Sequence, residues 1–404
     1  MNGTSLKQLN IAQKRVFLRA DLNVPLSDKV IVNDFRLTAL LPTLDYLLAN
    51  DAKVVLATHM GNPEALSRSN YFDENLSTSL LVSWFEKRGY HIIYEIDLLK
   101  AEQKSHTDRH AILLIENLRF FHGEKESKSA STFADLLKNL GDCYVNDAFA
   151  LMHRNDTSTT LLPQKFNAKD RAAGFLVEKE LAMLTSIKEK PQQPYVMILG
   201  GNKVKDKIDL LKNILKRPRY AMPQSFLIGG AMAHAFLQAQ GYHIGQSIVD
   251  TSAVEFARNF LHKADELQIS INLPHDALVT FGDSYPTDYY NIDAIPSNGT
   301  IVDIGPGTIE MFSQDIAKAT TIFANGTMGI YENPAYAQGT SKVLRAIASS
   351  QALCVVGGGD TVAAVFANNL QADIDFLSSG GGATLAFIAT DFAEQSLPGL
   401  KALL

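Results

Sequence analysis

Val196-Met-Ile-Leu-Gly-Gly-Asn-Lys-Val-Lys-Asp-Lys207 decides how the rest of the chain is read. An apolar run stops at Gly200-Gly201 and gives way to a polar segment carrying Lys203, Lys205 and Lys207, the pattern of a buried strand, a tight turn and a helix start. In open α/β sheets ligands bind beyond the carboxyl ends of strands, so such a turn is a place for chemistry. Its glycines let backbone approach a phosphate, the helix start offers unpaired N–H groups, and a lysine adds a mobile positive charge. The spacing is not that of a Walker A loop, which needs G-x-x-x-x-G-K-[ST].

Further glycine-rich strand ends follow in the second half: Phe226-Leu-Ile-Gly-Gly-Ala231, Val302-Asp-Ile-Gly-Pro-Gly307, Asn325-Gly-Thr-Met-Gly329, Val355-Val-Gly-Gly-Gly-Asp-Thr361 and Ser379-Gly-Gly-Gly-Ala383. Together they suggest a floor of backbone N–H groups for a polyphosphate. Asp360 directly follows Gly359 and precedes a helix-like stretch, a position from which it could meet a Mg²⁺ carried by that polyphosphate or cap the helix.

The first half alternates apolar runs with helix-like stretches, the signature of parallel α/β architecture. Arg15-Val-Phe-Leu-Arg-Ala-Asp-Leu-Asn-Val-Pro25 places Arg19, Asp21 and Asn23 at i, i+2 and i+4, on one face if the segment is extended. The run Lys53–Thr58 ends in His59-Met-Gly-Asn-Pro63, Ala111–Ile115 ends in Glu116-Asn-Leu-Arg119, and Asp142–Val145 leads to His153-Arg154. Arg19, Arg36, His59, Arg119 and Arg154 are thus candidates for one basic cluster with Asp21 and Asn23 inside it. Guanidinium forks match phosphate and carboxylate oxygens, so their convergence suits a small dianion with a second acidic group. The run Glu124-Lys-Glu-Ser-Lys128 reads as a solvated loop or helix start, and His106/His110 lack the partners of a metal site.

With 404 residues, 46% of them hydrophobic, the chain can bury the cores of two or three domains. A formal net charge of −6 argues against nucleic acid or an anionic membrane as main partner, so an anionic ligand must be held by locally gathered cations. No signal-like N-terminus and no long apolar run are present, which points to a soluble cytoplasmic protein. Cys143 and Cys354 both lie in apolar runs and read as buried free thiols. Between the halves, Val177, Leu181, Leu184 and Ile187 recur at helical spacing, and Pro191 and Pro194 follow, as in an interdomain helix or an ordinary surface helix.

These residues also carry a family resemblance. Arg19-Ala-Asp-Leu-Asn-Val-Pro25, His59-Met-Gly61, Glu116-Asn-Leu-Arg-Phe120, Tyr144-Val-Asn-Asp-Ala-Phe149, Gly200-Gly-Asn-Lys-Val204, Asp303-Ile-Gly-Pro306, Gly357-Gly-Gly-Asp-Thr361 and Gly380-Gly-Gly-Ala383 resemble, in order and over nearly the whole length, the phosphoglycerate kinases. The resemblance implies an α/β fold of two Rossmann-like three-layer domains with parallel sheets. It places an acid-binding domain at 1–174, an interdomain helix at 175–190 and a nucleotide-binding domain at 191–390, with the tail 391–404 returning to the first. It implies reversible phosphoryl transfer between 1,3-bisphosphoglycerate and ADP, giving 3-phosphoglycerate and ATP, by a hinge-bending monomer that needs Mg²⁺ as MgADP or MgATP. No nucleic acid or membrane partner is implied.

Position by position, Asp21, Asn23, Arg36, His59, Met60, Gly61, Asn62, Arg119 and Arg154 resemble the acid-binding set, with Arg36 closest to the transferring group. Lys203, Lys207, Gly381 and Gly382 resemble the groups that neutralise the phosphoryl oxygens. Gly305, Asn325, Glu332, Gly358, Gly359, Asp360 and Thr361 resemble the nucleotide set, with Asp360 on the metal. The chain departs from the family at several of these places. Asn62 stands where the basic loop usually has Arg, Gly307 where Lys is usual, Thr327 where Pro is usual, Ala324 where Trp is usual and Phe376 where His is usual. Loss of a cation at Asn62 leads to the expectation of a raised KM for the acid. Two rivals are a kinase for a different acid and a non-catalytic nucleotide-binding protein; retention of Arg36, Lys203, Lys207 and Asp360 tells against the second.

Overall fold

A computed structural model describes residues 5–63, 72–106, 111–125, 128–202, 205–282, 287–390 and 397–404. The chain divides into two compact units, one running to Ala182 and taking in the C-terminal tail, the other beginning at Met183.

The first unit is built on β1 (Arg15–Ala20), β2 (Lys53–Ala57), β3 (Ile92–Glu95), β4 (Ile112–Ile115), β5 (Cys143–Asp147) and β6 (Arg171–Ala173). These six form one sheet in the order β3-β4-β2-β1-β5-β6, with every pairing parallel. Parallel strands are covered on both faces, which is why they read as unbroken apolar runs. Val16, Leu18, Val54, Leu56, Leu114 and Val145 share a core with Leu37, Leu40, Leu44 and Leu47 of the helix Phe35–Ala49. The chain leaves β1 towards β2 but leaves β5 towards β6, so the direction of winding reverses between β1 and β5. Their carboxyl ends flank the crevice where such sheets take ligands.

The second unit repeats the plan. Its strands are β7 (Tyr195–Leu199), β8 (Ser225–Ile228), β9 (Ser270–Asn272), β10 (Asp276–Thr280), β11 (Asp288–Asn291), β12 (Thr300–Ile304), β13 (Thr321–Asn325), β14 (Leu353–Gly357) and β15 (Phe376–Leu377). Six of them make a second parallel sheet, β9-β8-β7-β13-β14-β15, and β11-β10-β12 make a small antiparallel one. Winding reverses between β7 and β13, so Gly200-Gly201 and Asn325–Gly329 meet at the switch point. Gly201 N–H donates to the Thr327 carbonyl at 2.7 Å, and Gly326, at φ 103°, passes so close to Gly200 that a Cβ there would lie 2.2 Å from its carbonyl oxygen.

The helix Phe175–Glu189 contains the point of division between the units, and its Val177, Leu181, Leu184 and Ile187 are all buried. Asp147 lies beneath its start, where Oδ1 accepts from Val177 N–H at 3.2 Å. At the C-terminus the described residues of the tail pack on the first unit: Gly399 N–H donates to the Met152 carbonyl at 2.9 Å, and Leu397, Leu400 and Leu403 are buried. Residues 391–396 of the expected returning tail lie outside the described residues. Both cysteines are buried free thiols. No helix among the described residues is long and apolar enough to cross a membrane.

Candidate active site

Four strand ends of the first unit supply one cluster. Arg36 Nη1, from the first turn of its helix, donates to Asp21 Oδ2 at 2.7 Å and to the Asn23 carbonyl at 3.2 Å. Asn23 Oδ1 in turn accepts from Gly61 N–H at 2.8 Å, and Arg119 Nη1 donates to the Gly61 carbonyl. His59 is 2% exposed, with Nδ1 3.9 Å from Asp21 Oδ1. Burial holds its imidazole well below the usual histidine range, reinforced by the guanidinium groups of Arg19, Arg119, Arg36 and Arg154. His59 is therefore neutral at pH 7, in a pocket of fixed positive charge. Among the described residues, His59 Nδ1 and Arg119 Nε are buried without a hydrogen-bond partner. Buried polar atoms left open in this way are places for a ligand atom.

Several expectations need correction. β1 ends at Ala20, so Arg19, Asp21 and Asn23 do not line one extended face. Arg19 is fully buried and its guanidinium is largely engaged by scaffold groups: Nε donates to Ser158 Oγ at 2.7 Å, Nη1 to the Ala20 carbonyl at 2.6 Å, and Nη2, without a hydrogen-bond partner among the described residues, stands 3.6 Å from Glu124 Oε1. Glu124 is therefore no solvated charge. It is 1% exposed, and burial pushes its carboxyl up to about 6. The Met60 side chain belongs to the hydrophobic core, and its carbonyl accepts from Asn117 Nδ2 at 2.8 Å. Gly61 keeps its role through conformation, with φ 57° and a Cβ position only 2.5 Å from Leu76 Cδ2.

Asn62 and Arg154 are exposed beside this cluster. Asn62 Oδ1 accepts from Lys125 Nζ at 2.8 Å, a contact the sequence did not announce because 63 positions separate the partners. Asn117 is another residue missed: besides Met60 it ties down the Leu76 carbonyl at 2.9 Å and so fixes the loop after β2. Its only signal was its place beside Arg119 at a strand end.

In the second unit a cavity of about 420 Å³ is walled by Gly201, Asn202, Gly230, Thr327, Glu332 and Asp360, with Ile301, Ile304 and Met328 on its apolar side. Glu332 and Asp360 are exposed. Asp360 sits in the first turn of the helix Gly359–Ala367; the N-cap position is Gly358 instead, at φ 97°. Among the described residues no three metal-ligating side chains gather, so a cation at Asp360 would draw its other ligands from phosphate and water, as Mg²⁺ commonly does.

The remaining nucleotide candidates stand behind this wall. Asn325 gives its carbonyl to Gly200 N–H at 3.0 Å, its Nδ2 is buried without a partner among the described residues, and Thr361 Oγ1 accepts from Gly326 N–H at 2.7 Å. A Cβ on Gly358 would come within 2.9 Å of Asn325 Nδ2. Gly305 does not contribute a free N–H. It donates to the Asp276 carbonyl at 2.9 Å, while Asp276 carboxylate oxygens accept from the N–H groups of Gly307 and Thr308 at 2.9 and 2.7 Å. That helix start is already capped from within, so the glycine floor is smaller than the motif count suggests. At Gly307 the space for a side chain is taken by His275, whose Nε2 lies 2.5 Å from the Cβ position.

Lys203 lies outside the described residues. Lys207 is buried in the helix Lys205–Ile214, with Nζ 3.9 Å from the Cβ position of Gly201. That helix packs against Gly382–Ala389, whose N-cap is Gly381 at φ 52° and whose first residue, Gly382, is exposed. Lys207, Gly381 and Gly382 therefore belong to neighbouring elements, though none is part of the cavity wall.

The phosphoglycerate kinase family model matches residues 6–391. The chain belongs to the phosphoglycerate kinase family. A phosphoglycerate kinase of Bdellovibrio bacteriovorus is 37% identical over 409 residues, spanning 99% of this chain and 96% of its own length. One from Dictyoglomus turgidum is 38% identical, spanning 98% and 97%. Among solved structures, the phosphoglycerate kinase of Coxiella burnetii is similar with a TM-score of 0.82 at 33% identity, covering 99% of this chain and 98% of that one. That of Pyrococcus horikoshii gives 0.83 at 30% identity with the same coverage.

Proposed function

We propose that this chain is a working phosphoglycerate kinase, passing a phosphoryl group reversibly between 1,3-bisphosphoglycerate and ADP to give 3-phosphoglycerate and ATP. The family is one of kinases that transfer phosphate to a carboxyl group. The observation that carries the reading is the cluster of the first unit, where Arg36, Arg119 and neutral His59 gather with buried polar atoms unfilled. Such a site suits a small acid bearing phosphate and carboxylate.

Phosphoryl transfer asks for in-line positioning and for cations where negative charge spreads, with little covalent help from the protein. The acceptor carboxylate is ionised near pH 7, so no general base is assigned. Arg36 holds the acceptor end, with Asp21 and Asn23 fixing its guanidinium. Lys203, Lys207 and the N–H groups at Gly381 and Gly382 meet the charge on the transferring phosphoryl. The cavity of the second unit takes the nucleotide, with Asp360 and Glu332 at its polar end. Mg²⁺ on the nucleotide, held through Asp360, would supply further charge neutralisation when bound. Closure of the two units to exclude water, a monomeric state and a cytoplasmic location belong to the same proposal.

The test is a coupled assay of purified protein with 3-phosphoglycerate and MgATP beside Lys203→Ala. Turnover in the parent that collapses in the variant supports the reading. An inactive parent that still binds MgADP by calorimetry would move it to a different acid or a binding role.

A further inference from the structure

Lys125 is a cation beside the cluster of the first unit that the mechanism above does not use. Its backbone is held from both sides. It directly follows the short 3₁₀ turn His122–Glu124, and its N–H donates back to the His122 carbonyl. Glu124 is locked by Ser158, which donates to its carboxylate from N–H at 3.0 Å and from Oγ at 2.6 Å, while Thr157 Oγ1 donates to the Gly123 carbonyl at 2.6 Å. From this anchor the side chain reaches across to Asn62, 2.8 Å away. The bond is to a neutral carbonyl oxygen, and no carboxylate among the described residues lies within ion-pair distance of Lys125 Nζ. Partial burial first, and then Arg119 and Arg154, disfavour its proton, while Asp156 and Glu124 favour it. A cation beside two arginines, whose side-chain partner among the described residues is an amide, is placed to receive an anion.

We propose that Lys125 is a substrate-binding cation of the acid site, aimed at the phosphate of the phosphorylated acid, and that Asn62 is the positioning residue that directs it there. The inference rests on the functional reading above and deepens it. It also revises the expectation drawn from Asn62 itself. The arginine that the family resemblance implies at that position is absent, but the charge is supplied from a loop 63 positions away, with Asn62 presenting it. Acid KM should therefore be ordinary rather than raised.

The experiment measures KM for 3-phosphoglycerate, KM for MgATP and kcat for the parent, Lys125→Met, Lys125→Arg, Asn62→Ala and the exchange Asn62→Arg/Lys125→Met, with calorimetric binding of 3-phosphoglycerate and of glycerate, which lacks the phosphate. Lys125→Met should raise acid KM about tenfold and leave MgATP KM within twofold, and it should remove most of the preference for 3-phosphoglycerate over glycerate. Lys125→Arg and the exchange should each recover most of that loss. Asn62→Ala should give a smaller rise, about threefold. Lys125 is exposed, so the variant is expected to fold, and its far-ultraviolet dichroism and Trp84 emission check that. Turnover in the parent with an acid KM unmoved in Lys125→Met overturns the assignment and leaves the functional reading standing. Absence of both turnover and 3-phosphoglycerate binding in the parent overturns the two together.

Discussion

Replacing Arg19 by Met separates the two roles that a strand-end arginine can have, ligand and scaffold. Glu124 titrates at about 6 even beside Arg19, because burial outweighs the guanidinium. Its ordinary value is 4.5, and at about 1.36 kcal/mol per pH unit the buried carboxylate already costs about 2 kcal/mol above pH 6. Without Arg19 the carboxyl loses the guanidinium that lowers it and is pushed higher still, and removing one partner of a buried pair costs about 3–5 kcal/mol at pH 7.5. Within that total, Ser158 and the Ala20 carbonyl lose partners at about 1 kcal/mol each.

The sign of the pH dependence follows from the raised folded value. The folded state holds the extra proton, so the contribution of this group is fully present below pH 4.5 and is lost as pH rises through about 6 in the parent, and over a higher range in the variant. At pH 5 the carboxyl is protonated in both folded proteins, and only the hydrogen-bond part, about 2 kcal/mol, remains. Urea unfolding followed by the emission of Trp84, the chain's single tryptophan and a residue of the first unit, reads this directly. Glu124→Gln in the Arg19→Met background should recover about half the loss at pH 7.5 and little at pH 5. A destabilisation equal at both pH values would refute the reasoning. So would unchanged stability with a raised acid KM, which would return Arg19 to the ligands.

Because His59 is held neutral, its ring-proton NMR signals should stay fixed between pH 7.5 and 5.5, and its folded state refuses a proton that the unfolded chain accepts, so the first unit should lose stability as pH falls below 6.5. A normal titration near 6.5 would contradict this. Gly358→Val places a β-branched side chain at φ 97° and crowds Asn325 Nδ2; MgATP KM should rise about tenfold, with acid KM within twofold and about 1–3 kcal/mol lost from the second unit. An unmoved MgATP KM would separate this loop from the nucleotide. Gly399→Val would press on Met152, whose Cα is 3.0 Å from the Cβ position; because Met152 precedes Arg154 by two residues, acid KM should rise several-fold while MgATP KM holds. Equal changes in both constants would argue against local action.

Much was legible in the chain because the signals are local. Strands buried on both faces must be apolar throughout, so the runs at Arg15, Lys53, Ile112, Cys143, Tyr195, Thr321 and Leu353 announced themselves, as did the helix with Val177, Leu181, Leu184 and Ile187 on one side. Ordered motifs over the whole length were enough to name the family. Glycines at strand ends marked where ligands would be met, since positive φ and close backbone approach leave few alternatives.

What the sequence could not say is where each side chain turns once its strand ends. Arg19 and Arg36 look alike in a motif, yet one is sunk against Glu124 and the other holds Asp21 at the cluster. Gly305 and Gly358 both begin helices, yet Asp276 already occupies the first helix start and no side chain caps the second. Glu124-Lys125 reads as one solvated charge run, whereas packing buries the first residue and sends the second to Asn62. Secondary structure and family follow from spacing along the chain. Burial, charge pairing and the reach of a side chain over 63 positions depend on which loops the sheet order brings together, and that is a property of the tertiary structure alone.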